Sequence, residues 1–138
     1  MGFPIATTQA GFICFAFPDV CNTPSPPGPP IPVPYPNIGQ LSDATGVSDD
    51  ESKGKVEVNG YPVVLKDSEI SQTTGNEAGS VGGVQSGVTR GKVTFMGGSG
   101  NVQIYGQSVI RMFDATEQND GNAVGQVLGG VPNVLVGG

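Results

Sequence analysis

The chain has 138 residues, of which 23 are Gly and 12 are Pro, and only 13% carry a charge. This length suits a single domain, and so much Gly and Pro excludes long helices. The net charge is −6 and all six basic residues lie between Lys53 and Arg111, so the chain lacks the basic surface that binds nucleic acid or an anionic membrane.

The first residues do not have the pattern of a secretory signal. A signal peptide begins with a positively charged segment, whereas no Lys or Arg precedes Lys53. The apolar run GFICFAF at residues 11–17 is also short and is followed at once by Pro18. We therefore expect a protein that is cytoplasmic before assembly and that is exported without a cleaved signal peptide. In that compartment Cys14 and Cys21 are expected to be reduced and partly buried rather than joined in a disulfide.

A proline-rich segment spans residues 17–37, and eight prolines fall within the thirteen residues 24–36. Each proline fixes φ and removes a backbone donor, so the segment is predicted to be extended and unable to pair as a central strand. Ile31, Val33 and Tyr35 alternate with prolines, which favours an extended strap on a β-core with its apolar side inward. A spacer between two parts and a docking peptide for an SH3-type groove are the alternatives.

Residues 39–54 are polar and rich in turn residues. They contain the acidic run Asp49, Asp50 and Glu51. We interpret this run as part of a solvated loop, with a cation site as the alternative.

Repeated hairpins are predicted over residues 55–116. In KVEVNGYPVVLKDSE, valines alternate with charged residues, and Asn59-Gly60 supplies the positive φ of a tight hairpin turn. Forty-six residues later NVQIYGQSVIRMFDAT repeats the pattern, and a further strand is predicted between the copies, from Val88 to Met96. Because one hairpin alone is unstable, the repeat predicts a compact all-β body in which each hairpin covers apolar faces of its neighbours.

The sequence holds no complete catalytic set. It has no histidine, which excludes Ser-His-Asp and Cys-His nucleophiles and every His-based metal site. SGVTRGKV resembles a phosphate loop at Gly91-Lys92, but Ser86 and Val93 stand where that motif needs Gly and Ser or Thr. The carboxylates of DATEQNDGN, residues 114–122, do not have calcium-loop spacing and are expected in a solvated turn. We predict that the chain is not an enzyme and has no catalytic or cofactor-binding residue.

Five short words occur in order between about Phe17 and Asp120: FPDVC, TPSPPGPPIPVPYPN, SDAT, VLKDS and TTGNEAG. In this combination the chain resembles the PAAR-like spike-tip proteins of contractile injection systems, which occur in type VI secretion and in phage-tail-like particles. The resemblance implies one all-β domain over residues 1–138, a small cone of repeated hairpins. Such a cone caps a trimeric VgrG-like spike and sharpens it for membrane puncture.

The resemblance also implies a set of partners. One chain is expected on each spike trimer, and the target membrane is expected to be contacted only on puncture. Val63, Val64, Val109, Ile110 and the C-terminal VLVGG are the segments to examine for spike contact, although each is equally well explained as core.

The alternative function is an effector or an effector carrier attached to the spike, because tip proteins of this sort often continue into toxin domains. Here the Gly- and Val-rich tail, residues 121–138, is too short for a catalytic domain. A free-standing adaptor that is recognised through its prolines is a third possibility.

PAAR tips generally hold a zinc ion near the apex with histidines and a cysteine. By position, the histidines would fall near Met112, Gln118 and Asp120, and Cys21 is the candidate for the remaining cysteine ligand. Cys14 and Cys21 together supply two of the four ligands of a closed zinc site, so they are weak metal candidates. We predict that no zinc is bound in the family's manner and that no other cofactor is needed.

In place of the metal, the strap is hypothesised to close the apex. Its preset φ angles reduce the entropy lost on folding. Ile31, Val33 and Tyr35 would add buried apolar area at roughly 25 cal/mol per Å².

Overall fold

A computed structural model describes residues 2–137, and this part of the chain is built almost entirely of strands. The strands are β1 Phe3–Ile5, β2 Ile13–Thr23, β3 Ile31–Gln40, β4 Ala44–Thr45, β5 Glu57–Val58, β6 Tyr61–Pro62, β7 Glu69–Ile70, β8 Gly82–Gly83, β9 Val93–Phe95, β10 Gln103–Ile104, β11 Gln107–Ser108, β12 Ala115–Gln118, β13 Ala123–Val127 and β14 Val131–Val136. Within residues 2–137 the one helical element is a 3₁₀ turn, Leu41–Asp43. The predicted all-β class is confirmed.

No helix in the described part of the chain has the length and apolarity needed to cross a membrane.

The main sheet is antiparallel, with strand order β3-β2-β13-β12-β9-β7-β4, and β8 pairs with the far end of β2. Its longest component is the β2–β3 hairpin, whose register shifts between Ala16 and Asp19. Pro18 lies in this bulge, where a missing N–H removes no regular ladder bond. The Gly- and Val-rich tail was not predicted to form strands, yet β13 lies inside this sheet between β2 and β12.

The proline-rich segment forms the outer end of the β2–β3 hairpin. Residues 24–30 are an exposed loop, and β3 then pairs with β2 as an edge strand. The extended, non-central backbone therefore agrees with the prediction in β3, whereas residues 17–23 belong to β2, which lies inside the sheet. The prediction that the apolar side chains of the strap point inward is wrong for Ile31, which is 48% exposed. Val33 and Tyr35 are half-buried. The strap thus buries less apolar area than was predicted for it.

Two apolar clusters form the core. The first contains Ala6, Cys14, Leu41, Val47, Val64, Ile70, Val93, Phe95, Ile110 and Val127. The second contains Ile5, Val63, Leu65, Val109, Val131 and Val136. Phe12 packs against both clusters, so the start of β2 lies where they meet.

Candidate functional site

Three short segments, centred on Ala6, Val64 and Ile110, form a closed backbone ring. The N–H of Ala6 donates to the carbonyl of Ile110, that of Ile110 to Val64, and that of Val64 to Ala6, each at 3.0 Å. A second circuit joins the same three segments in the opposite direction, with Thr8 donating to Pro62 (3.1 Å), Lys66 to Ser108 (2.9 Å) and Met112 to Pro4 (2.8 Å). Within each circuit a segment donates to one neighbour and accepts from the other, so over both circuits it exchanges bonds in both directions with both neighbours. The strand ring, residues 4–8, 62–66 and 108–112, therefore has three-fold pseudosymmetry within one chain.

Each segment of the strand ring follows a two-stranded hairpin. The β5–β6 and β10–β11 hairpins turn at Asn59-Gly60 and Tyr105-Gly106, and all four of these residues have positive φ. The third hairpin is β14–β1, whose two strands come from opposite ends of the chain. Phe3 opposes Val136 in this pair, as Tyr61 opposes Val58 and Gln107 opposes Ile104 in the others.

Sequence reasoning missed this third copy because no continuous hairpin marks it. The available signal was the match of Pro4-Ile5 to Pro62-Val63 at the start of the ring segments.

The residues selected for spike contact are mostly interior. Val63, Val64, Val109 and Ile110 are fully buried, and they divide between the two core clusters. Their side chains therefore form core and not a contact surface. In the C-terminal VLVGG, Leu135 is exposed while Val136 is buried.

Exposed apolar side chains instead lie on and beside the three hairpins. Val56 and Val102 occupy equivalent positions just before β5 and β10, and Tyr61 and Phe3 occupy equivalent positions in β6 and β1. Their exposed fractions lie between 38% and 40%, and Leu135 on β14 is 61% exposed. We call these five residues the hairpin face.

A buried ion pair anchors the split hairpin. The Arg111 guanidinium lies 3.0 Å from the Asp114 carboxylate and also donates to the carbonyl of Gly137 at 3.3 Å. The same group lies over the Phe3 ring, 5.5 Å from its centroid. Both strands of the β14–β1 hairpin are therefore attached to the third ring segment.

A second, polar site lies along β2, away from the strand ring. Asp19 is six residues beyond Ile13, or about 20 Å along an extended strand. Its side chain is fully buried, and no Lys or Arg nitrogen in residues 2–137 forms an ion pair with it. A buried carboxylate without a cation requires several hydrogen-bond donors.

Four asparagine side chains supply those donors. One carboxylate oxygen of Asp19 accepts from the amides of Asn119 (3.2 Å) and Asn122 (2.5 Å). The other oxygen accepts from Asn37 (3.1 Å) and Asn76 (2.6 Å). We call Asp19 and these four residues the aspartate cage. The cage joins β2, β3, the loop between β7 and β8, and the turn between β12 and β13.

Neighbouring backbone groups fix which end of three of these amides faces Asp19. The side-chain oxygens accept backbone N–H groups, Asn76 from Arg90 (3.1 Å), Asn119 from Gly91 (2.7 Å) and Asn122 from Gln85 (2.8 Å). Because those oxygens are already engaged with donors, the amide nitrogens must point to the centre of the cage.

The amide of Asn37 is fixed by a relay of hydrogen bonds. Its nitrogen also donates to the hydroxyl of Thr73 at 2.8 Å. That hydroxyl donates its own proton to the carbonyl of Gly91 at 2.7 Å, so it must accept from Asn37. Gln118 donates to the side-chain oxygen of Asn37 at 2.8 Å, which gives the same orientation.

The two cysteines occupy different environments. Cys14 belongs to the apolar core, and burial raises the pKa of its thiol to about 12. Cys21 lies beside the cage and its thiol donates to Asp19 at 3.7 Å. Burial, followed by the charge of Asp19, raises the pKa of Cys21 to about 11. Both thiols are therefore protonated at neutral pH, and the structure does not bring them together.

The positions at which the resemblance places a zinc site lie partly at the cage. Gln118 and Asp120 flank Asn119, and Cys21 contacts its amide at 3.7 Å, whereas Met112 belongs to the strand ring. Zinc requires thiolate, imidazole or carboxylate ligands, but here the groups that face the centre are N–H donors and one protonated thiol. Within residues 2–137 no three His, Cys, Asp or Glu side chains form a metal-binding group. This donor set does not fit a zinc ion.

The remaining motifs have structural places. Residues 114–122, predicted as a solvated turn, instead contain β12 and the buried side chains of Gln118 and Asn119. In the segment that resembled a phosphate loop, Lys92 pairs with Glu69 at 3.3 Å. Asp49 and Glu51 of the acidic run are exposed on a loop, as predicted.

Comparison with known proteins gives two matches. The toxin PAAR-like domain family matches residues 12–125. The DNase toxin Tse7 of Pseudomonas aeruginosa, strain PAO1, is 37% identical over 113 residues, an alignment that covers 75% of this chain and 27% of the relative. The chain therefore spans about a quarter of the length of the curated relative it matches. No solved structure matches it significantly.

These matches correct one prediction. The expectation that the protein is not an enzyme is wrong, because the relative is named for a nuclease activity. The absence of histidine excludes histidine-based catalytic sets, and only within these 138 residues. Most of the relative lies outside the alignment. The residue types of these 138 positions therefore say nothing about a catalytic domain elsewhere in such a protein.

Proposed function

The chain belongs to the toxin PAAR-like domain family, and on this premise we propose that it is the spike-binding domain of an effector delivered by a contractile injection system of the type VI kind. The observation that supports this most is the strand ring. A trimeric shaft ends in three identical subunits, and one chain matches such an end only if it presents three equivalent contacts. The strand ring and its three hairpins supply that repetition within a single chain.

The hairpin face is the proposed contact surface. Its residues are apolar and exposed, and Val56, Val102, Tyr61 and Phe3 fall on equivalent positions of different hairpins. A docking surface of this kind gains stability by removing apolar area from water, at roughly 25 cal/mol per Å². We place one chain on each trimer, in the cytoplasm before assembly, and export it at the tip of the apparatus.

The role of effector or effector carrier is preferred to that of a purely structural tip. The relative is named a DNase toxin, and the shared region covers 27% of it. A domain that caps the spike would carry the attached activity into the target cell when the tip is driven through the membrane. In this proposal sharpening and puncture accompany delivery, and the β2–β3 hairpin with its proline loop is the leading point.

Co-purification with a trimeric spike protein tests the docking step. The expected complex contains one chain per three spike subunits, as measured by light scattering after gel filtration. Replacing Leu135 and Val102 by Glu should weaken binding at least about tenfold, since burying one unpaired charge costs more than about 1.4 kcal/mol.

The matched control for docking is Val124→Glu. Val124 is 66% exposed but lies on β13, outside the hairpin face. It should bind as the unchanged chain does. Equal loss of binding in both variants, or three chains per trimer, would contradict the proposed surface.

A delivery assay tests the effector role. Attacker cells that carry the complete protein should degrade DNA in target cells, and the hairpin-face variant should abolish this effect while purified protein keeps its activity on plasmid DNA. Intact target-cell DNA with the unchanged protein present in the target would reject a DNA-directed effector and leave only the tip role.

A further inference from the structure

We infer that the aspartate cage replaces a structural metal ion in this chain, with the polarity of the site reversed. A metal site places a cation at the centre and lone pairs around it. Here an anion, the carboxylate of Asp19, lies at the centre, and the N–H groups of four amides surround it. This inference concerns how the fold is held together and does not depend on spike binding.

The cage connects the same number of chain segments as a metal with four ligands would. Asp19, Asn37, Asn76 and the Asn119 and Asn122 pair come from four separate parts of the sequence. Hydrogen bonds to an ionised group contribute about 1.5–3 kcal/mol each. A carboxylate with four such bonds is therefore a strong cross-link, which adds to the strand pairing of β2 with β3 and β13.

The surroundings of the cage keep water out and hold the amides in place. Asp19, Asn37, Asn76 and Asn119 are fully buried, and every buried polar side-chain atom in residues 2–137 has a hydrogen-bond partner. A cation entering this site would face four N–H dipoles directed toward it. Turning the amides would break the backbone bonds to the oxygens of Asn76, Asn119 and Asn122 and the Gln118 bond to Asn37.

The cage lies next to the proline loop at the end of the β2–β3 hairpin, and it supports that loop. The exposed proline loop, residues 24–30, begins only three residues after Cys21, at the end of the β2–β3 hairpin. Below the loop, the cage ties β2 and β3 to the β12–β13 turn through Asn119 and Asn122. The loop at the end of the hairpin is thus held by a network that needs no zinc supply and no deprotonated thiol.

The first test measures metal content and metal dependence in the full chain. Protein produced in zinc-supplemented medium should contain less than about 0.1 zinc per chain, and its Tm should be unchanged within about 1 °C by a strong chelator. Stoichiometric zinc together with a lower Tm after chelation would overturn the inference.

The second test compares two neighbouring side chains. Asp19→Ala leaves four amide donors unpaired and should lower Tm by roughly 10–20 °C. Cys21→Ala removes the one thiol that a metal at this position would need, and should lower Tm by no more than about 5 °C. A larger loss for Cys21→Ala than for Asp19→Ala would overturn the inference.

A milder variant covers the case in which Asp19→Ala fails to fold. Asn122 is half-buried at the rim of the cage, and Asn122→Ala should lower Tm by about 5–10 °C. Asn101→Ala is the control, because Asn101 is exposed and lies outside the cage. Equal melting temperatures for the two variants would contradict the cage's role.

Discussion

A thiol that is buried in an apolar core holds its proton more tightly than a thiol in water, because burial disfavours the thiolate. Cys14 and Cys21 are both fully buried, with pKa values raised from 9.0 to about 12 and about 11. In the unfolded chain these thiols release their protons near pH 9, well before the folded chain does. The contribution of these two thiols to stability should therefore be nearly constant below pH 9 and should decrease as the pH rises toward 11.

This linkage gives the first prediction. Between pH 8 and pH 10 the two thiols together should lower the free energy of unfolding by roughly 2–3 kcal/mol. Urea unfolding of the unchanged chain and of the double variant Cys14→Ala and Cys21→Ala at both pH values measures it. The double variant is expected to lose less stability over this interval. Parallel losses would show that the thiols do not titrate as described.

The second prediction concerns a glycine packed against the cage. A Cβ on Gly79 would overlap the Cβ of Cys21, and overpacking typically costs 1–3 kcal/mol. Gly79→Ala should therefore lower the free energy of unfolding by about 2 kcal/mol, measured in urea. Gly28→Ala is the matched control, since its Cβ would meet only the Ser25 carbonyl at 3.4 Å. A change of less than about 0.5 kcal/mol in both variants would contradict close packing at the cage.

At the scale of single residues, the sequence predicted whether a side chain is buried better than it predicted its hydrogen-bond partners. The two cysteines were predicted to be reduced and partly buried; both are free in the structure, but they are fully buried. The cage was not predicted, because Asp and Asn are also the usual residues of turns, and its members are spread from Asp19 to Asn122. Only the folded chain brings one carboxylate to four amides, and the spacing of these residues in the sequence does not predict that contact.

At the scale of elements, the alternating prolines of β3 have a specific consequence. β3 lies at the edge of the main sheet, with Pro34 opposite Val20 and Pro32 opposite Asn22. Proline has no N–H, so the donors that β3 gives to β2 come from the residues between the prolines. On the outer side of the strand the prolines leave no N–H to pair with another chain, which is a recognised way to protect an edge strand.

The third prediction follows from this protection. Replacing Pro32 and Pro34 by Thr restores two outward N–H groups on an exposed β-edge, and should increase self-association, measured by light scattering against protein concentration. Replacing Pro29 and Pro30 by Thr changes the same residue types in the exposed loop and should leave the chain monomeric. Association that is equal in both variants would show that the edge is not what the prolines protect.

Elements with a turn signal were the ones that the sequence located. Asn59-Gly60 adopts the positive φ that was predicted for it, and the second hairpin followed from its repeat. β13 and β14 had no such signal, since Gly and Pro interrupt their apolar runs. They form because β2 and β1 supply the partners, which is tertiary context that propensity does not contain.

At the scale of the whole molecule, the three-fold pseudosymmetry predicts that the positions of the chain ends are not essential to the fold. The first and last described strands, β1 and β14, form the third hairpin of the ring, where the other two hairpins have continuous turns. The all-β class was predicted correctly, but only two copies of the repeat were found in the sequence. The third copy is divided between residues separated by almost the full length of the chain.

The fourth prediction is a circular permutant. The original ends are joined by a short Gly-rich turn, and new ends are opened between Asn59 and Gly60, at the tip of an equivalent hairpin. Because the two sites have the same place in the strand ring, the permutant should fold with a Tm within about 5 °C of the unchanged chain, as surface-turn permutations are usually tolerated.

A second permutant supplies the contrast. Opening the chain between Cys21 and Asn22 cuts β2 within the stretch that pairs with β3 on one side and β8 on the other. This cut lies beside the aspartate cage and should prevent cooperative melting. If the permutant opened at Asn59-Gly60 also fails to melt cooperatively, the three hairpins are not interchangeable. The match to a three-fold shaft would then lose its structural basis, because three hairpins that differ in stability do not offer three equivalent contacts.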